Sequence, residues 1–243
     1  MSGDGLRGAV LVTGTDTGVG KTVVTAAIAA AAIEAGLRVS VVKLAQTGTA
    51  DGMPPDVDEV SRLVAPHRAT ALAEYPDPLA PLVAAREAGA PPLELYDAVD
   101  AVRAEVKDHD LVLVEGAGGL LVPMGVRPSG QPWTVADLAV SVDATAVVVA
   151  RAGLGTLNHT ALTLEALQRR AAPACVVLGA WPTRPGQVHL TNLGELRPHL
   201  AGAVPERVGG MEPGVFRRSA PGWLTPKLYG VLDDWRDLAG DAG

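Results

Sequence analysis

Residues 8–36 read GAVLVTGTDTGVGKTVVTAAIAAAAIEAG, and few folds accept such a run. GAVLVTG is an apolar stretch that reads as a buried strand, and KTVVTAAIAAAAIEAG is an Ala-rich helix closed by Gly36. A glycine-rich turn joins them and ends in Gly20-Lys21-Thr22. A turn of this kind points several backbone N–H groups at one anion, and the helix dipole adds positive potential there. Lys21 would then reach the β- and γ-phosphates of a nucleotide, and the Thr22 hydroxyl would ligate Mg²⁺. One detail departs from the common phosphate-loop spacing. The opening glycine is Gly14, not residue 15, so five residues separate it from Gly20.

The rest of the chain repeats strand and helix. RVSVVK, LVLVEGAGGLLVP, ATAVVVA and ACVVLGA are strands, the second breaking into a Gly-rich turn. DEVSRLVA, PLVAAREAG, LELYDAVDAVRAEVKD and TLNHTALTLEALQRRA are helices, and residues 51–57 form a mobile Pro/Gly/Asp loop. The last 25 or so residues carry little pattern. Such alternation predicts an α/β fold: a P-loop NTPase-like, doubly wound, mostly parallel sheet with helices on both faces. A core rich in Ala and Val, with only 3% aromatic residues, suits it. At 243 residues, 1–243 is expected to be one domain. Polar clusters follow four of the strands, at 14–22, 43–48, 115–119 and 153–159. Ligands of doubly wound sheets sit at the carboxyl ends of the strands, so all four fall on the rim where a site belongs.

Composition excludes other classes. A formal net charge of −7 leaves no footprint for nucleic acid or an anionic membrane. No apolar run approaches the ~20 residues of a membrane span. Cys175 is the only cysteine and sits in PACVVLG as a small buried hydrophobe, so a cytoplasmic protein without an internal disulfide is expected.

Each cluster has a chemical reading. Glu115 ends an apolar strand, where a carboxylate can hold Mg²⁺ or its waters; the plainer alternative is a solvated strand-end acid. Glycines at 116, 118 and 119 let backbone approach phosphates. Lys43 can neutralise a phosphoryl acceptor or stand on the surface. Asp56 or Asp58 can supply a second carboxylate to Mg²⁺, although loop acids are usually only solvated. GLGTLNH, Gly153 to His159, has the form of an anion nest suited to a substrate carboxylate, or of an ordinary helix start capped by Thr156.

Together these residues resemble the dethiobiotin synthetases. Gly14-Thr15-Asp16-Thr17-Gly18-Val19-Gly20-Lys21-Thr22 fits that family's G-T-x-T-x-V-G-K-T. The early glycine is therefore the family's own form of the loop. Lys43-Leu44-Ala45-Gln46-Thr47-Gly48 stands for K-P-V-x-[ST]-G, with Leu-Ala in place of Pro-Val. Val114-Glu115-Gly116-Ala117-Gly118-Gly119 and Gly155-Thr156-Leu157-Asn158-His159 complete the set. The resemblance implies an ATP-dependent (or other NTP-dependent) cyclo-ligase. Its substrates would be 7,8-diaminopelargonic acid and CO₂ or bicarbonate, and its metal Mg²⁺ held by Thr22, Asp56 and Glu115. It implies catalytic roles for Thr17, Lys21 and Lys43, with Thr47 on the diamine and carbamate. It also implies a homodimer in which Gly155, Thr156, Leu157 and Asn158 of one subunit meet the substrate carboxylate of the other. The nucleotide would contact Gly18 to Val23, Glu115 to Gly118, Ala180, Trp181, Pro205, Glu206 and Arg207. Ala180-Trp181 replaces the Asn-Asp pair with which many members read adenine. Trp181 offers a base only a π-face and one N–H donor, so weak discrimination among NTPs is expected.

Two rival readings share the loop. The amidotransferase of cobalamin synthesis needs a glutaminase domain with a cysteine nucleophile, for which 243 residues and one cysteine leave no room. A regulatory ATPase switch of the ParA/MinD kind carries a signature lysine five places before the loop lysine, where this chain has Asp16. Such a switch also tends to end in a membrane-seeking helix, whereas LYGVLDDWRDLAGDAG is acidic.

Overall fold

The computed structural model describes residues 5–239. Strands in the first half are β1 Gly8–Gly14, β2 Val39–Lys43, β3 Gln46–Thr47, β4 Arg68–Ala71, β5 Glu74–Tyr75 and β6 Leu93–Glu94. The second half adds β7 Leu111–Gly119, β8 Pro123–Val126, β9 Pro132–Thr134, β10 Thr145–Arg151, β11 Ala174–Trp181 and β12 Leu200–Pro205. The helices are α1 Lys21–Glu34, α2 Asp56–Val64, α3 Pro81–Glu87, α4 Leu95–Asp108, α5 Val135–Ser141, α6 Thr156–Gln168, α7 Gln187–Leu196 and α8 Pro213–Ser219.

Seven strands form the central sheet in the order β12-β11-β10-β1-β7-β2-β4, and every pairing in it is parallel. One apolar layer joins one sheet face to α1, α2 and α8, and a second joins the other face to α3, α4, α5 and α7. The expected doubly wound sheet with both faces covered is therefore present. After β1 the chain moves out to β2 and β4, returns to β7, then crosses β1 to β10, β11 and β12. The crevice at such a reversal is where ligands bind, and β1 feeds its loop directly into it.

The Ala-rich composition of α1 has a packing reason. Ala26, Ala27, Ala29, Ala30, Ala31 and Ala32 are all buried. Methyl side chains let this helix lie between the sheet and its neighbours α2 and α8. Cys175 on β11 is 2% exposed within the same layer, and burial pushes its thiol up to about 11.

Three expectations change. The segment after Glu115 does not break into a turn: β7 runs on to Gly119. It bulges, because Val12 pairs Glu115 while Gly14 pairs Gly119. Glycines allow that bulge, since a Cβ on Gly116 would stand 2.7 Å from Val135 Cγ2. Residues 51–57 are not one loop, because a 3₁₀ turn at Thr49–Asp51 ends on the first of them and α2 already begins at Asp56. Thr156 is not the cap of α6. That position is Gly155, at φ 91°, and Thr156 is buried with its hydroxyl 3.4 Å from that of Thr160. The weakly patterned end folds as short 3₁₀ turns at Ala220–Trp223, Pro226–Leu228 and Trp235–Ala239, and Leu224 and Leu228 are buried in the α1 layer.

Candidate active site

The turn from β1 into α1 leaves a free helix start. Gly20 occupies the cap at φ 96°, no side chain caps the helix, and no acid lies in its first turn. Its first N–H groups have no partner within the helix and stand as an anion site. Gly20 is required there by its left-handed backbone, and Gly179 by contact: a Cβ on it would lie 2.0 Å from Val19 O. The tip of β11 thus presses against the loop backbone. Lys21 donates to Asp16 O at 3.1 Å, folding over the loop. Burial, then the neighbouring Lys43, lower its affinity for a proton, against the pull of Glu115, Asp56 and Asp16. Phosphate charge beside it would reverse that balance.

Beside the loop lies a cavity of about 620 Å³. Its walls carry Thr17, Gly18, Gly20, Lys21, Thr22, Val23, Lys43, Thr47, Asp56, Glu115, Ala117 and Gly118, so most of the expected site comes together here. The floor is an ionic cluster. Lys43 and Glu115 are register partners on adjacent strands β2 and β7. The Lys43 ammonium donates to Glu115 Oε1 at 2.8 Å and Gly116 O at 3.1 Å, and pairs with Asp56 Oδ2 at 2.5 Å. Thr22 donates to Glu115 Oε1 and Thr25 to Glu115 Oε2, each at 2.9 Å. Glu115 is 1% exposed and Lys43 4%, so each charge depends on these partners. Burial alone would lower the Lys43 pKa; Glu115 and Asp56 outweigh it and hold it above its ordinary value.

This floor fits a divalent cation. The Thr22 hydroxyl and the Asp56 and Glu115 carboxylates are hard oxygen donors, and the two carboxylates already surround one cationic group, the Lys43 ammonium. Among the described residues no group of three His, Cys, Asp or Glu makes a metal site alone. Phosphate oxygens and the threonine would have to complete the shell, as magnesium in nucleotide sites usually requires. Of the two loop acids, Asp56 reaches the cavity; Asp58, in the same first turn of α2, is exposed and does not line it.

Sequence reasoning missed Thr25, which donates to Glu115 without lining the cavity, and several wall residues. Thr25 lies one turn beyond Thr22, and that i, i+3 spacing places both on one helix face, a signal that was available. Ala45 and Gln46, inside the Lys43 to Gly48 motif but given no role there, line the cavity, as do Val122 and the Pro78-Leu79-Ala80-Pro81 segment, which no motif marks. A smaller cavity of about 230 Å³ shares Gly20 and Val23 with the first and is otherwise lined by Val24, Ala180, Val204, Pro205, Arg207 and Val208 to Gly210.

Some expected residues stand elsewhere. Trp181 is 4% exposed, and its indole N–H donates to Leu238 O at 3.0 Å. Its face and its donor both belong to the core. Glu206 lies outside that small cavity, its carboxylate taken by the Thr183 N–H and hydroxyl, which hold its pKa below the ordinary range. Val19 is buried in the α1 layer and Gly116 meets the cluster only through its carbonyl. Gly155, Leu157 and Asn158 are exposed at the start of α6, and neither they nor Thr156 line the Lys43 cavity. His159 is exposed beside them.

Comparison with known proteins gives one consistent answer. A family model described as an AAA domain matches residues 8–208. An ATP-dependent dethiobiotin synthetase of Rhodococcus jostii is 52% identical over 221 residues, covering 88% of this chain and 94% of the relative. Another, from Streptomyces avermitilis, is 48% identical over 229 residues, covering 92% and 94%. Among solved structures, a plasmid partition protein of Borrelia burgdorferi superposes with a TM-score of 0.53 over 88% of this chain and 95% of that one. At 10% identity that likeness shows the fold alone.

Proposed function

The chain belongs to the dethiobiotin synthetase family, a family of ligases, and from that premise we propose that it carboxylates 7,8-diaminopelargonic acid with CO₂ and closes the ureido ring at the expense of a nucleoside triphosphate. The observation that carries this reading is the buried Lys43–Glu115 pair on the floor of a cavity that opens on the free start of α1.

In this reading one amine adds to CO₂, losing a proton, and becomes a carbamate. The carbamate oxygen attacks the γ-phosphorus and the nucleoside diphosphate leaves, giving a carbamic-phosphoric anhydride. The second amine then attacks the carbonyl carbon and loses a proton, and phosphate departs with the C–O electron pair. No protein nucleophile is required. Two anions must meet before the phosphoryl transfer, and cationic groups offset their repulsion. Lys21, on the loop, would hold the β- and γ-phosphates. Lys43 would face the carbamate and the phosphoryl group. Thr17 and Thr47, both on the cavity wall, would orient the diamine and carbamate by hydrogen bonds. Magnesium, bound by Thr22, Asp56 and Glu115, would supply charge neutralisation between the phosphates. Pro78, Leu79, Pro81 and Val122 give one wall an apolar surface for an alkyl chain.

A shared dimer site is part of the proposal. Leu154 is 84% exposed, Leu157 39% and Leu162 57%, around the α6 start that carries Asn158. An apolar surface of this kind favours burial against a second copy. Asn158→Ala is expected to weaken diaminopelargonate binding about tenfold, with nucleotide affinity unchanged. Mixing it with Lys43→Ala should restore part of the activity, because one hybrid site keeps both contributions; no recovery after verified subunit exchange would confine each site to one chain.

The test of the activity is direct. The protein is incubated with diaminopelargonate, bicarbonate, Mg²⁺ and an NTP, and dethiobiotin is measured by mass alongside released phosphate. Phosphate released at the full rate without diamine would overturn the ligase assignment. Among the described residues no helix is long and apolar enough to cross a membrane.

A further inference from the structure

Asp56 needs something to hold it. It opens α2 after an irregular stretch, and the residue before it, Pro55, offers no side-chain cap. Two contacts fix it. Its carboxylate pairs with Lys43, and its backbone N–H donates to Gln46 Oε1 at 3.0 Å. Gln46 is itself well anchored. Its N–H donates to Ala73 O at 2.8 Å, it pairs in register with Glu74, and its Nε2 donates to Thr47 O at 3.3 Å. One side chain on the cavity wall therefore ties the short strand β3 to the first residue of α2.

The two contacts have different fates. Lys43 cannot keep its ammonium on Asp56 while a cation occupies the same carboxylate and substrate charge draws the lysine away. The Gln46 contact is to backbone and competes with neither. We propose that Gln46 is a positioning residue for divalent-cation binding: its side-chain carbonyl caps α2 and keeps the Asp56 carboxylate aimed at the cavity once Lys43 has turned to substrate. The proposal rests on the reading of Asp56 as a metal ligand. Gln46 touches neither metal nor substrate in this role.

Mn²⁺ titrations followed by electron paramagnetic resonance test it, using the full-length protein with a non-hydrolysable ATP analogue. Nucleotide affinity in EDTA and the thermal midpoint are measured in parallel. Gln46→Met keeps the length and removes the acceptor, and should weaken Mn²⁺ about fivefold, the scale of one hydrogen bond. Its nucleotide affinity in EDTA should stay within about twofold of the parent, because that readout does not involve Asp56. Gln46→Glu restores an acceptor for the Asp56 N–H and should bring Mn²⁺ affinity back to at least the parent value. Unchanged Mn²⁺ affinity in Gln46→Met overturns the proposal. So does an equal loss in both variants, which would assign the effect to the lost Nε2–Thr47 contact. A parallel loss of nucleotide affinity in EDTA overturns it too, as general damage to the cavity. Asp56→Asn separates the premise from the inference. If Asp56→Asn leaves Mn²⁺ affinity unchanged, the metal-ligand reading falls and the proposal with it; if it weakens Mn²⁺ while Gln46→Met does not, only the proposal falls.

Discussion

Two cavities share Gly20 and Val23, and they are built on different principles. The larger one is walled by Lys21, Lys43, Asp56, Glu115 and the Thr22 hydroxyl, each held by named partners, together with Thr17 and Thr47. The smaller has Arg207 as its only charged wall residue; the rest are apolar or glycine. Buried charges keep their place only when every partner is present, so the first cavity is specified atom by atom. The second is specified only by shape. A site can reject a wrong ligand strongly when its own polar groups would be left unpaired, and weakly when it merely encloses. The phosphate and acceptor end of the ligand should therefore be read strictly and the base end loosely.

The strict side should break hardest. Lys43→Ala is expected to lower kcat by about 10²- to 10³-fold, the scale of losing one group that meets developing charge. Nucleotide affinity should change only a few-fold, because the lysine acts in the transition state. An unchanged kcat would remove Lys43 from the mechanism. The same lysine carries a stability signature. Its pKa is held above the ordinary value, so its contribution is complete below about 10.5 and fades as pH rises through the folded value. Urea melts of the parent and Lys43→Met from pH 8 upward should show a constant gap to about pH 10.5 that narrows above it; a gap that widens above that pH would contradict the assignment.

Thr22→Val should come next. The swap keeps shape and deletes the hydroxyl that now donates to Glu115. The Mg²⁺ concentration for half-maximal turnover should rise about tenfold or more, with the fold intact by circular dichroism. Ordinary Mg²⁺ dependence would exclude Thr22 as a ligand.

On the loose side the expected differences are small. Values of kcat/KM for ATP, CTP, GTP and UTP should lie within about a hundredfold of one another, against the ~10⁴-fold of a site with matched hydrogen bonds. An ATP preference above that bound would mean another segment reads adenine. Trp181 cannot be that segment, since its ring and N–H are committed to the core.

The gentlest test builds a reader where none exists. Ala180 sits at φ 54° on the wall of the smaller cavity, a backbone state that Asn adopts more readily than Ala. Ala180→Asn should leave stability unchanged or raise it by up to ~1 kcal/mol, and shift the ATP-to-CTP ratio by up to about tenfold. No shift at all would place the base away from Ala180.

How much of this was legible beforehand follows from range. The loop from Gly14 to Thr22 and the helix behind it were readable because strand, turn and helix are set by adjacent residues. Glu115 was readable as an acid on an apolar strand, although the strand runs on past it to Gly119 instead of ending there, and Asn158 as part of a helix start, for the same reason. The parallel sheet followed from alternation. Gln46 was not readable, since a glutamine between Ala45 and Thr47 becomes a cap only when α2 arrives beside it. Nor was the Pro78–Pro81 wall, which no local pattern connects to the loop.

What the sequence by itself determined, then, is the anion site and the rim on which polar clusters gather. Tertiary structure decided which of those clusters touch. Lys43 and Glu115 are 72 residues apart, and they meet because the chain runs out to the β4 edge and brings β7 back between β1 and β2. A one-residue slip would turn either side chain to the opposite face of the sheet. That register is set by burying the apolar faces of both strands at once, a condition no single segment carries.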